Sequence, residues 1–421
     1  MNSRKPRKMT SSTANTAKQT VRLAGLVVVS LAVAACGATG PATYQPLQLN
    51  QQEQSRVAEQ PSYAQAQYQK LFAEGKRNEV LNRMEIGTAA FYRGDLDLAR
   101  ENFDAALAVI ETVYADNQAA LQARSLWHEE GRKDFKGEPY ERAMAYYYRG
   151  LIYLADGEYD NARASFISGL LQDAFAEEEQ NRADFAVLLL LAGWSAQKMG
   201  SPGLAAEAYA ELQQLRPDIV IPDANDNVLV LAETGFAPRK LADGMGHYEL
   251  VFRPGKNFTE KQVTLTMAGQ TQQLAPIESV YWQATSRGGR PVDAIIEGKA
   301  SFANTTADIG ADLAKLGVAA RVWSPAVGGS SGQVGNTLAL IGVASMALSA
   351  NVKPRADTRY WASLPDAIHV STFSGSPTDI SDWQATYADL DGQPVSLPSG
   401  VFRHYQDQRG NHLIWHSSRA R

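Results

Sequence analysis

The stretch GLIYLADGEYDNARASF, residues 150–166, indicates the fold of the first half of this 421-residue chain. Gly150 is followed after seven residues by Gly157, then by the small residue Ala162 and, four positions later, by the aromatic Phe166. Small residues let two helices approach closely, glycine supplies a tight turn, and an aromatic ring fills the space between the helices. The stretch therefore predicts a pair of helices joined by a short turn.

The same order of small and aromatic residues occurs twice more. The other copies contain Gly87, Gly94, Ala99 and Phe103, and Gly193, Gly200, Ala205 and Tyr209. This pattern resembles the tetratricopeptide repeat, in which helix pairs stack into an extended domain. The copies lie farther apart than the about 34 residues of one such repeat, which indicates insertions, the first at residues 115–140. We expect a helical repeat domain of this type over residues 66–220, with a new helix beginning at Pro139.

The amino-terminal segment has the charge order of a secretory leader. Six basic and no acidic residues accompany the apolar run Leu23 to Ala35, which is too short to span a bilayer, since that takes about 20 helical residues. The sequence Val33-Ala34-Ala35-Cys36 resembles the lipobox of bacterial lipoproteins, in which the cysteine is acylated and the leader is removed. We expect a signal peptide at residues 1–35 and lipid attachment at Cys36, the only cysteine. An ordinary secretory peptide is the alternative.

The residues after Cys36 bear on the location of the protein. The residue after the cysteine is Gly37, whereas an Asp there would resemble an inner-membrane retention signal. This favours the outer membrane of a Gram-negative cell, with the protein facing the periplasm. Several acyl chains would anchor the protein stably, because each buried methylene contributes about 0.8 kcal/mol. Residues 36–65 are rich in Gln, Pro, Ala, Thr and Ser, so we expect a flexible tether there.

The charge balance excludes one class of partner. Without the leader the chain has 34 basic and 45 acidic residues, a net charge of about −11. Nucleic acid is not an expected partner, because its phosphates would need clustered Lys and Arg. Acylation of the only cysteine would also leave no disulfide.

Helical repeats form concave surfaces and carry no catalytic chemistry of their own. We therefore expect a protein or peptide partner to bind in the groove of the repeats, with a purely structural spacer as the alternative. Tyr146, Tyr147, Tyr148 and Tyr153 would either contact that partner or belong to the core.

The second half of the chain changes character after the turn-rich residues 221–227. Short β-like runs follow, at Val228 to Leu231, His247 to Arg253, Gln262 to Met267, Ser279 to Thr285, Ala367 to Phe373 and His412 to His416. A helix at about residues 307–316 interrupts them. We predict a multidomain α+β protein, in which the all-α repeats precede an α+β domain at residues 228–421.

Three segments carry a further resemblance. FKGEPYER (residues 135–142), LAETGFAPRK (231–240) and RADTRYWASLP (355–365) look like segments of a family of uncharacterised bacterial lipoproteins that join tetratricopeptide repeats to a carboxy-terminal module. The likeness covers most of the mature chain and implies no established activity. Because members are sometimes encoded near lipoprotein activators of peptidoglycan synthases, the resemblance implies a role in the cell envelope.

The third segment contains the alternating residues Asp357, Arg359 and Trp361. On a strand they would share one face, and on a turn they would form a carboxylate–guanidinium pair capped by the indole. Either arrangement would serve as a structural clasp at the domain junction or as a ligand site.

Few residues suggest catalysis. His412 and His416 have the spacing of a metal-binding helical turn, but their neighbours favour a strand, on which they would be about 13 Å apart. The glycines of residues 328–335 lack the ending of a phosphate-binding loop and indicate a linker. We expect that the protein uses no cofactor and no metal and that it is not an enzyme. An envelope hydrolase using His369, His404 or His412 with Asp357 is one alternative.

One uncharged segment, residues 337–350, has no assigned role. At 14 residues it is short for a transmembrane helix, so it would be a buried core helix, a contact between copies of the chain, or a segment entering the membrane surface. Our main hypothesis is a lipid-anchored periplasmic scaffold or regulator of an envelope assembly. The other alternative is a homo-oligomeric ring- or pore-forming subunit that uses this segment.

Overall fold

The computed structural model describes residues 46–115, 134–174, 185–243, 249–267, 270–285, 357–376, 383–398 and 400–419. These residues combine helices with a large curled sheet, so the fold is mixed α+β. Several predictions lie outside the described residues: the signal peptide, Cys36, the helix at residues 307–316, the glycine-rich residues 328–335 and the apolar segment 337–350.

Most helices of the described residues come first in the chain. They are α1 (Gln51–Ala58), α2 (Gln65–Glu74), α3 (Glu79–Arg93), α4 (Leu96–Ala115), α5 (Pro139–Ala155), α6 (Tyr159–Ala174), α7 (Ala186–Lys198), α8 (Pro202–Leu215) and the short α9 (Val280–Thr285). Helix α5 begins at Pro139 as predicted, because proline suits the first helical position, and Glu138 and Glu141 cap each other's backbone amides.

Helices α3 to α8 form three pairs, α3–α4, α5–α6 and α7–α8, each joined by a short turn. In each pair a glycine of the first helix faces an aromatic ring of the second: Gly87 faces Phe103, Gly150 faces Phe166, and Gly193 faces Tyr209. A Cβ atom on Gly150 would lie only 2.2 Å from the Phe166 ring, so the approach of α5 and α6 requires glycine. The connecting turns contain Gly94, Gly157 and Gly200, all with a positive φ of 74° to 78°.

The strands follow, with α9 among them. They are β1 (Val228–Thr234), β2 (Arg239–Asp243), β3 (Glu249–Arg253), β4 (Gln262–Met267), β5 (Gln270–Ser279), β6 (Ala367–Phe373), β7 (Gln384–Ala388), β8 (Pro394–Val395), β9 (Val401–Gln406) and β10 (His412–Ser417). Strands β2 and β3 form a separate two-stranded sheet. The other eight form one sheet in the order β8-β7-β4-β5-β6-β1-β10-β9, with β1 parallel to β10.

The large sheet has two buried faces. Leu231 and Trp415 belong to a core that they share with helices α3 to α8, so the helices and the sheet pack as one body. Val230 and Ile414 point to the opposite face and form a second core with Val263 and other side chains of β4 and β7. The sheet curls around this second core, because Trp383 beside β7 contacts Phe402 and His404 on β9 across it.

The structure corrects two expectations. The run Ser279 to Thr285 is not a strand: β5 ends at Ser279, whose Oγ accepts a hydrogen bond from the Trp282 amide and starts helix α9. Residues 50–65 of the expected tether are not a flexible chain either, because α1 begins with a capping box between Asn50 and Glu53. The predicted bounds of β4 and β6 are confirmed.

Candidate functional site

The three segments that carried the family resemblance meet in space, where the start of α5 contacts β2 and the loop after residue 356. Lys240 Nζ on β2 lies 2.5 Å from Glu138 Oε1, and both side chains are buried. The amide of Trp361 donates to Glu141 Oε1 at 2.7 Å. The Arg359 guanidinium lies over the ring of Phe135. We call these residues of the three segments the junction cluster.

Glu141 is the most buried carboxyl group of the junction cluster, with no exposed surface. Its second oxygen accepts from the amide of Glu138 at 2.7 Å. Burial raises the pKa of Glu141 to about 7, and the nearby Lys240 opposes that rise. Burial acts to lower the pKa of Lys240, but the carboxylates around it, Glu138 first, outweigh burial and raise that pKa. The cluster is thus a buried group of side chains of opposite charge that form ion pairs and hydrogen bonds with one another.

The expected motif of Asp357, Arg359 and Trp361 lies on a loop rather than a strand. Arg359 donates to both carboxylate oxygens of Asp357, the closest contact being 2.6 Å, and also to the backbone oxygen of Arg77 and to Asn78 Oδ1. The ion pair expected on a turn is therefore formed. The indole does not cap it: Trp361 is fully buried against Phe103 and Tyr148, and its Nε1 donates to Ser363.

A second buried carboxylate, Glu233, lies at the end of β1 that faces the helices. It accepts hydrogen bonds from the hydroxyls of Tyr92 and Tyr148 and from Trp415 Nε1, at 2.7 to 3.0 Å. These donors come from α3, α5 and β10, so one side chain links two helix pairs to the central strands. The sequence offered no signal for this role beyond an acidic residue in an apolar strand.

The junction cluster and Glu233 together can fasten the helices to the sheet. Their charged groups face donors and acceptors of the same chain and are largely withdrawn from water. Buried polar networks of this kind specify one arrangement of the elements, because any other arrangement would leave a buried charge unpaired. This geometry favours the clasp over the ligand site.

The candidate catalytic histidines and Asp357 are engaged with other partners in the described residues. Asp357 is held by Arg359, whereas His369 Nε2 lies 3.0 Å from Thr234 Oγ1, and His404 Nε2 lies 2.9 Å from His412 Nδ1. His412 and His416 lie on strand β10, as predicted, and not on a helix. In the described ranges there is no group of three or more His, Cys, Asp or Glu side chains arranged to hold a metal ion.

Sequence reasoning missed a contact between the hairpin of β9 and β10 and the turns of the helix pairs. We call residues 401–417 the strap. Arg403 Nη2 donates to the Tyr92 backbone oxygen at 2.5 Å, beside Gly94. Tyr159 donates to Asp407 at 2.6 Å, beside Gly157, and Arg409 reaches the Lys198 oxygen, near Gly200. The strap thus touches all three turns in succession, and Gly94 and Gly157 leave room for it, whereas no atom lies within 4 Å of a Cβ placed on Gly200.

The inner surface of the helix pairs is covered by the sheet. Tyr146, Tyr147 and Tyr148 are buried, so they belong to the core, and Tyr153 is half-buried under the Arg149 guanidinium. Every residue from Ala186 to Ala196 of α7 is buried as well. A partner protein in this groove, as expected from the repeats, would have to displace the strands.

Comparison with known proteins adds no relative: no protein-family model matches the chain, and no curated protein or solved structure matches it. None of the described helices combines the length and the apolar character needed to cross a bilayer.

Proposed function

We propose that this protein is a lipid-anchored scaffold or regulator of a cell-envelope assembly, held at Cys36 to the periplasmic face of the outer membrane. In this proposal α3 to α8 are tetratricopeptide-type repeats. The observation that supports the repeats is the same contact, made three times, between a glycine of the first helix and an aromatic ring of the second. In each pair the turn glycine follows the first glycine by seven residues, and the aromatic residue follows the turn glycine by nine. Such arrays bind proteins and carry out no chemistry of their own.

We assign partner binding to the outer surface of the helix pairs, since the sheet covers the inner one. This outer surface is acidic. Glu101 on α4 and Glu207 on α8 are exposed, as are Asp97, Asp104, Asp160 and Glu211. A partner with a basic surface would therefore associate most readily, and its association would weaken with salt.

In-cell photo-crosslinking tests this assignment. A crosslinking residue is placed at Glu101 or at Glu207, and a matched control is placed at Asp391, which is also exposed but lies beyond β7. We expect the first two positions to capture the same envelope protein and the control to capture none of it. Capture only of further copies of this chain, in ladders, would replace the scaffold by a ring-forming subunit.

The anchor has its own test. Cys36→Ser should leave the leader uncut and abolish labelling by a radioactive or clickable fatty acid, because both steps depend on the cysteine sulfur. A variant that is still cut before position 36 and still found with the membrane would overturn lipid attachment at this residue.

A further inference from the structure

Two histidines in the strap form a hydrogen-bonded pair. His404 on β9 and His412 on β10 have Nε2 and Nδ1 2.9 Å apart, and their rings stack with centroids 5.2 Å apart. In the neutral pair, one nitrogen carries the hydrogen and the other accepts it. If both rings become cationic, two N–H groups face each other at this distance, and the attraction turns into repulsion.

The surroundings of the pair offer little compensation for positive charge. Asp407 is the carboxylate that acts on His412, and it is already engaged by Tyr159 and by Asn411. On β7, Tyr387 bonds to His416, the other titratable residue on this face of β10. Arg403 and Arg409 point away, to the helix turns. Trp383 presents its ring to His404 at 5.3 Å.

These surroundings keep the pair neutral near neutral pH. Burial lowers the pKa of His404 and of His412, and the neighbouring His412 lowers that of His404 further. Protonation of both rings therefore has to be driven by acid, and it is resisted until the strands move apart.

The position of β9 makes such a movement local. Among the described strands, β9 is at the edge of the large sheet and pairs with β10 alone. Its departure breaks one ladder, the Arg403 contact at the first helix turn, the contacts of Phe402 and His404 with Trp383, and the contact of His416 with the Val401 backbone oxygen. Strand β10 remains paired with β1. The second core loses the cover of Phe402 on β9, whereas its buried residues on β1 and β4 and the helix pairs do not have to unfold.

We propose that the strap is an acid-sensitive fastening, in which protonation of both His404 and His412 separates β9 from β10 and frees β9 from the helix turn at Gly94. The release needs no partner protein. A test of this release is therefore independent of the proposed scaffold function.

Hydrogen–deuterium exchange of the full chain, read by mass spectrometry at pH 7.5 and pH 5, tests the proposal. After correction for the intrinsic pH dependence of exchange, peptides over residues 400–411 should exchange about tenfold faster or more at the lower pH, because local opening sets their rate. Peptides over residues 228–234, in central strand β1, should show no change. Equal corrected rates for residues 400–411 at both pH values would overturn the fastening.

Two substitutions sharpen the test. His404→Gln keeps an amide near the position of Nε2 but cannot become charged, so the variant should lose the acid response. His416→Gln is the matched control, because His416 lies on the same face of β10 and also touches β9, through the Val401 backbone oxygen, while its Nε2 bonds to Tyr387; it should keep the response. An unchanged response in His404→Gln, or a lost one in His416→Gln, would contradict the assignment to this pair. If His404→Gln does not fold, the wild-type comparison alone decides.

Discussion

Glu141 shows at the scale of one residue how burial sets a pH dependence. The pKa of this carboxyl group is about 7 in the folded chain, above its ordinary value of 4.5, because burial disfavours the charged form. The folded state thus binds the proton more tightly than the unfolded state. The resulting stabilisation is complete below about pH 4.5 and is lost as the pH rises to 7.

Glu141→Gln should remove this contribution. Relative to the variant, the wild type should lose stability between pH 5 and pH 7 by up to about 1.4 kcal/mol per pH unit. Urea unfolding of both proteins at the two pH values measures the difference, in which the titration of all other groups cancels. Glu101→Gln, on an exposed part of α4, serves as the control and should show no such change. If the difference in the free energy of unfolding between the wild type and Glu141→Gln were the same at pH 5 and pH 7, the raised pKa of Glu141 would be contradicted.

Gly150 carries a second prediction at this scale. A methyl group at this position would lie 2.2 Å from the Phe166 ring, so Gly150→Ala should lower the free energy of unfolding by about 1–3 kcal/mol. Gly203→Ala is the matched control, because no atom lies within 4 Å of the added carbon and alanine favours the helix. Equal unfolding midpoints in urea for the two variants would show that α5 and α6 do not pack this closely.

At the scale of elements, the hydroxyl of Tyr159 joins helix α6 to the strap. Tyr159→Phe should cost about 1.5–3 kcal/mol, because it removes a hydrogen bond to the carboxylate of Asp407. Tyr153→Phe, on the preceding helix α5, removes the same hydroxyl from a ring that contacts Arg149 and should cost less. Thermal or urea unfolding compares them. A larger cost at Tyr153 would mean that the strap is not held at this turn.

The same scale shows why some elements follow from the sequence and others do not. The helix pairs could be recognised because Gly150 and Phe166 are close in the chain, and their spacing alone brings them into contact. Strands β4 and β6 were recognised from short runs of β-favouring residues. The run Ser279 to Thr285 was misjudged because a short apolar stretch suits a helix as well as a strand.

The candidate site was only partly accessible to sequence reasoning. The pairing of Asp357 with Arg359 is local, and a turn was enough to predict it. The meeting of Glu138 with Lys240, and of Glu141 with Trp361, depends on chain segments about one hundred and more than two hundred residues apart. Such contacts are set by the packing of the whole core, which no local pattern records.

At the scale of the whole molecule, the helices and the sheet share one hydrophobic core. Trp361 and Trp415 lie in it, fully buried among side chains of α3, α4 and α5. We therefore expect one cooperative transition in urea, with helix content from circular dichroism and tryptophan fluorescence changing together. Two separated transitions would indicate that the repeats and the strands fold as independent domains.

The parallel pairing of β1 with β10 places the last strand of the described residues beside the first, inside the large sheet. Until residue 417 has been made and delivered, β1 keeps an open edge and the helix core lacks Leu413 and Trp415. A chain that crosses a membrane from its amino terminus onward therefore cannot complete this fold during passage. Assembly of the sheet has to wait for residues 412–417, and a chain that stops before them would keep an unpaired edge on β1 that can accept a strand from another chain.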